Sequence, residues 1–111
     1  MNKLFAGLLY IYSFSIVACP NALPTDHVNF CSSFKSAAVC YCTASGLPSA
    51  LCQDMKSLYN RMVIVLGSLE KVCAYQHNST TQECIDDWNC YLRGGVNSHG
   101  AACSSTRLAC E

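Results

Sequence analysis

The stretch "PSALCQDMKSLYNRMVIVLGSLEKVC", residues 48 to 73, decides how the rest of the chain is read. Leu51, Met55, Leu58, Met62, Val65, Leu69 and Val72 recur at steps of four and three, the spacing that lines one face of an α-helix. Cys52, Tyr59, Leu66 and Cys73 form a second stripe beside the first, widening the apolar face to that of a central bundle helix. The heptads are too few, and too poor in flanking charge, for a coiled-coil dimer. The stretch predicts one long core helix in a monomer.

That helix constrains the cysteines at its ends. Unbroken, it would hold Cys52 and Cys73 about 31 Å apart at 1.5 Å per residue, whereas bonded cysteines need Cα atoms within about 7 Å. Each must therefore clip one helix end to another part of the chain.

Working outward, "TDHVNFCSSFKSAAVCYC" (25 to 42) carries Val28, Cys31, Phe34, Ala38 and Tyr41 at helical steps, with Thr25 or Asp26 as N-cap and Gly46 and Pro48 ending the element. "NSTTQECIDDWNCYLRGG" (78 to 95) predicts another helix, capped by Thr80 or Ser79 with Gln82 or Glu83, and stopped by Gly94-Gly95. Ile85, Trp88 and Leu92 share one of its faces, and Trp88, Tyr91 and Tyr75 are read as core aromatics before a recognition patch. Asp86 and Asp87, about 100° apart on a helix, do not converge as an acid/base pair and are expected on a solvated face. The tail "VNSHGAACSSTRLACE" (96 to 111) has no sustained period, so it is expected to wrap the helices as a loop pinned by Cys103 and Cys110. The expected fold is all-α: a small disulfide-stapled bundle of about three helices with an irregular C-terminal tail.

The chain has 111 residues, 10 cysteines, zero formal net charge and 13% charged residues. Such a length yields one small domain, whose core needs covalent staples. With no Lys/Arg cluster, capture of nucleic acid or of an anionic lipid surface is not expected. A positive start followed by "LFAGLLYIYSFSIVA" (4 to 18) reads as a signal peptide over residues 1 to 18, leaving 19 to 111 as a cysteine-rich domain without a transmembrane segment. Secretion into an oxidising, extracellular compartment follows, with Cys19, Cys31, Cys40, Cys42, Cys52, Cys73, Cys84, Cys90, Cys103 and Cys110 as disulfide partners. Roughly 945 pairings are conceivable, and helix geometry removes only some. Cys84 and Cys90 fall on different faces of their helix, and Cys40 and Cys42 point apart, so all four need separate partners.

Ile16-Val17-Ala18-Cys19 also has the order of a bacterial lipoprotein cleavage site, which makes acylation of Cys19, in a lipoprotein of an envelope complex, the competing reading. Parity favours a disulfide, because withdrawing Cys19 leaves nine cysteines and one unpaired thiol. It would also leave the lead "CPNALPTD" (19 to 26) without an anchor.

Known site chemistry is sparse. Cys40-x-Cys42 with His27, His77 and His99 lacks paired zinc knuckles, so neither metal nor cofactor is expected. Asn78-Ser79-Thr80 is an N-glycosylation sequon in an exposed turn. "CIDDWNCY" (84 to 91) resembles the C-x-x-H-D-x-C-Y helix of secreted phospholipases A2 at Cys84, Cys90 and Tyr91. Asp87 and Trp88 stand where that family carries its catalytic histidine and aspartate, so no imidazole activates water and no enzyme is expected.

In class the chain resembles the small cysteine-rich secreted effectors of plant-associated fungi and oomycetes, through its signal peptide, size, even cysteine count and lack of catalytic motifs. That resemblance implies a non-enzymatic, virulence-type interaction protein acting on a host or other extracellular protein. The chain is also similar in size and content to elicitins and plant lipid-transfer proteins, which implies a helical carrier of an apolar lipid or sterol, with Met55 and Met62 lining a cavity.

Overall fold

The apolar stretch 48 to 73 is not one helix but three. The computed structural model describes residues 19 to 76 and 79 to 110, and its helices run α1 (Phe30–Ala44), α2 (Ser49–Gln53), α3 (Met55–Leu66), α4 (Leu69–Tyr75) and α5 (Thr81–Arg93). The fold is all-α as expected, but the described residues hold five helices where about three were anticipated. Their only β feature is an isolated antiparallel bridge between Val96 and Ala102. The proposed signal peptide, His77 and the sequon's Asn78 lie outside the described residues.

Two local devices divide the stretch. At Asp54 the backbone turns extended (φ −98°, ψ 101°), and its carboxylate accepts the Ser57 amide at 3.1 Å, ending α2 and capping α3 in one residue. At Gly67 the backbone takes the left-handed conformation (φ 106°) that glycine adopts without steric cost. Ser68 then caps α4, its hydroxyl accepting the Lys71 amide at 3.2 Å. The apolar spacing survives both breaks, but its direction does not. Met55, Leu58 and Val72 are buried, whereas Val65, expected on the core face, is 69% exposed just before the Gly67 turn.

The first helix starts later than its capping signals suggest. Asn29, not Thr25 or Asp26, is the N-cap residue of α1. Thr25 is instead buried as a tie point: its hydroxyl accepts from Asn97 Nδ2 at 2.8 Å and its carbonyl from the Ser104 amide at 2.6 Å. Val28 therefore precedes the helix and is 72% exposed. By contrast α5 begins and ends where its sequence says, with Thr80 accepting the Glu83 amide at 3.2 Å and Gly94 donating to the Cys90 carbonyl at 3.1 Å.

An aromatic core fastens α5 to α1 and α3. The Phe34 ring packs edge-on to Trp88 with centroids 4.9 Å apart, meets Tyr91 at 5.4 Å and stacks with Phe30 at 5.6 Å, while Tyr59 of α3 reaches Trp88 at 5.5 Å. Each such pair contributes about 0.5 to 1.5 kcal/mol beyond its area burial. Trp88 and Tyr91 are thus core residues, and Tyr75 is 73% exposed.

All ten cysteines pair. Cys42–Cys52 joins α1 to α2, and Cys73–Cys84 joins α4 to α5, so both ends of the divided stretch are clipped elsewhere. Cys90–Cys103 and Cys31–Cys110 hold the tail, and Cys19–Cys40 fastens the lead segment to α1. In this pairing the Cys19 sulfur is engaged, leaving no thiol for a lipid thioether.

Candidate functional site

The faces of α1, α3, α4 and α5 do not close completely on one another. Between them lies a cavity of about 770 Å³, within the roughly 300 to 1,000 Å³ typical of small-molecule sites. Helix α1 contributes Phe34, Ala37, Ala38 and Tyr41; α3 contributes Leu58, Met62 and Leu66. Val72 and Tyr75 come from α4, and Glu83, Asp87 and Trp88 from α5. Small residues make the space, since Ala37 and Ala38 stand where larger side chains would fill it.

The lead segment supplies another wall, beside Ser45 and Leu47 after α1. Pro20, Asn21 and Ala22 line the cavity, held by the Cys19–Cys40 bridge and by the Leu23 amide, which donates to Ser33 Oγ at 3.0 Å. A segment with no helix of its own is thereby fixed against α1. Two further bridges reach the lining directly, because Cys42 and Cys84 both border the cavity.

One end of this space is polar. Gln76, Ser79, Thr80, Glu83 and Asp87 gather where α4 passes into α5. Gln76 closes that turn by donating from Nε2 to the carbonyls of Cys73 and Ser79, each at 2.9 Å, and accepting the Ser79 amide at 3.2 Å. Thr80 donates its hydroxyl proton to Glu83 Oε1 at 2.9 Å, which orients that carboxylate.

The two aspartates of α5 correct the solvated-face expectation. Asp86 is 9% exposed, and its carboxylate accepts from Gln82 Nε2 at 3.1 Å, the Ser98 hydroxyl at 2.7 Å and the Ser98 amide at 3.3 Å. It ties the tail to α5. Asp87 is half-buried at the cavity and makes no hydrogen bond to another described residue. Burial, with the neighbouring charges of Glu83 and Asp86, pushes its carboxyl up to about 7. The signal was legible in the spacing of Glu83 and Asp87, which at i and i+4 share a helix face, rather than in the adjacent aspartates.

Of the two methionines expected to border a cavity, Met62 does and Met55 is fully buried in the core. His27 accepts the Asn29 amide at Nδ1, and His99 sits in the tail turn built on Asn97. Among the described residues no group of three or more His, Cys, Asp or Glu side chains is placed to hold a metal ion, and no helix is long and apolar enough to cross a membrane. Comparisons with protein-family models, curated proteins and solved structures give no match, so the geometry of the chain itself carries the functional reading.

Proposed function

We propose that this chain is a secreted, non-enzymatic binding protein that takes an apolar small molecule with one polar end. The observation that carries the reading is the cavity of about 770 Å³, apolar along its helical walls and polar where α4 meets α5. Burying the alkyl part of a ligand there supplies roughly 25 cal/mol per Å² of apolar surface removed from water. The bridges Cys19–Cys40, Cys42–Cys52 and Cys73–Cys84 fix the walls in advance, so little ordering entropy is lost on binding. Five disulfides also suit an extracellular compartment.

The test is binding of the neutral fluorophore N-phenyl-1-naphthylamine to the oxidised protein, followed by displacement with dodecanol. Saturable fluorescence enhancement, reversed by dodecanol, is expected, with the alcohol recovered chemically unchanged. Fluorescence no different from that with reduced, unfolded protein contradicts the reading. Acting at a host interface, as the resemblance to secreted effectors implies, the protein would sequester or deliver its ligand there. Deletion that leaves the host interaction unaltered would remove that part of the proposal.

A further inference from the structure

Among the described residues, the lining of the cavity carries charge of one sign only. Its described residues include the carboxylates of Glu83 and Asp87 and no lysine, arginine or histidine. These two groups do not stand alone as an acidic cluster; they form one end of an apolar space whose other walls are Phe34, Leu58, Met62 and Trp88. An occupant that satisfies both parts needs an alkyl or aromatic body and a positively charged head.

We infer that the cavity selects cationic amphiphiles, of which a long-chain primary amine is the simplest, with the ammonium group set beside Asp87 and Glu83. The inference rests on the ligand-binding reading above and narrows its ligand class. At pH 8 a carboxylate-headed fatty acid would bring a third negative charge against the two already there. An alcohol would bury the same chain but make only a neutral hydrogen bond. An ammonium donates charge-assisted hydrogen bonds, which are about twice as strong.

Among the described residues, the other titratable groups of the lining are Glu83 on the same helix, Tyr41 on α1 and Tyr75 on α4, with Asp86 next to Asp87 in sequence; α3 and the lead segment present none in the lining. Asp86 is committed to Ser98 and Gln82. Burial has raised the Asp87 carboxyl to about 7, so its ionisation changes between pH 5.5 and 8. The amine should bind better once that carboxyl is ionised.

The test compares dodecylamine, dodecanol and dodecanoate as displacers of the same neutral fluorophore from the oxidised protein, at pH 5.5 and pH 8. Dodecylamine is expected to bind about tenfold more tightly than dodecanol at pH 8, with a smaller ratio at pH 5.5 and dodecanoate weakest throughout. Asp87→Asn is expected to bring the amine and alcohol affinities together. If dodecanol binds and dodecylamine binds no better at either pH, the inference fails while the cavity reading stands. An amine preference that Asp87→Asn leaves intact overturns the placement of the head group. Failure of all three to displace the fluorophore overturns both.

Discussion

Two aspartates with opposite surroundings give the protein a pH dependence of two signs. Asp54 accepts hydrogen bonds from the backbone and side chain of Ser57, which hold its carboxyl below the usual value of 3.8. Its contribution is present above that value and is lost as pH falls through the lowered one. Asp87 behaves oppositely, since burial raises its carboxyl from 3.8 to about 7. The folded state then binds more protons than the unfolded chain between these values, so stability declines as pH rises through that window. Asp87→Asn is expected to stabilise the protein at pH 8 by on the order of 1 to 2 kcal/mol once partial solvent screening is allowed for, seen as a higher melting temperature, and to change stability little at pH 4. Calorimetry at the two pH values checks the difference; an equal effect at both would mean that Asp87 is not desolvated. Gly94 is the other decisive position. It sits at φ +76°, and a Cβ there would lie 2.5 Å from the Arg107 carbonyl oxygen. Gly94→Ala should cost about 1 to 3 kcal/mol in urea unfolding by displacing the tail.

At the scale of the helix, the division of residues 48 to 73 decides where the cavity lies. One straight helix would continue a single apolar stripe, whereas Val65 near the end of α3 is exposed and, after the turn at Gly67 and Ser68, Val72 of α4 lines the cavity together with Met62 and Leu66. Ser68→Ala removes the cap of α4 and is expected to cost about 1 kcal/mol, with weaker binding of the neutral fluorophore because the wall formed by Val72 loosens. Unchanged stability would show that the hydroxyl does not hold the break. The periodicity of this stretch was legible because burial imposes it; the breaks were not, because Asp54 and Gly67-Ser68 are single local signals inside seven matches to a helical period. Helix α5 was legible at both ends, since Thr80, Glu83 and Gly94 are consistent with its apolar face. For α1 the signal misled, because the hydroxyl of Thr25 serves Asn97, 72 positions away, rather than its own helix. The cavity could not be read beforehand: its walls come from four helices, the connection after α1 and the lead segment, parts far apart in sequence that only the fold brings together.

For the whole molecule, the bridges do different things. Cys90–Cys103 and Cys31–Cys110 secure the tail, whereas Cys19–Cys40 secures Pro20, Asn21 and Ala22 as a wall of the cavity. Replacing Cys19 and Cys40 together by serine is expected to lower stability by about 2 to 4 kcal/mol and to weaken fluorophore binding further than that loss of stability explains at temperatures where the variant remains folded. Binding equal to that of the native protein would show that the lead segment is no wall. The central claim, that the space between α1, α3, α4 and α5 is a ligand site, has a reporter in Trp88, the chain's one tryptophan, which borders the cavity. The direct measurement is a titration of the oxidised protein with dodecanol, and with dodecylamine, followed by Trp88 emission. A saturable change at one ligand per chain is predicted, and an emission that stays constant or drifts linearly with both ligands would contradict the account.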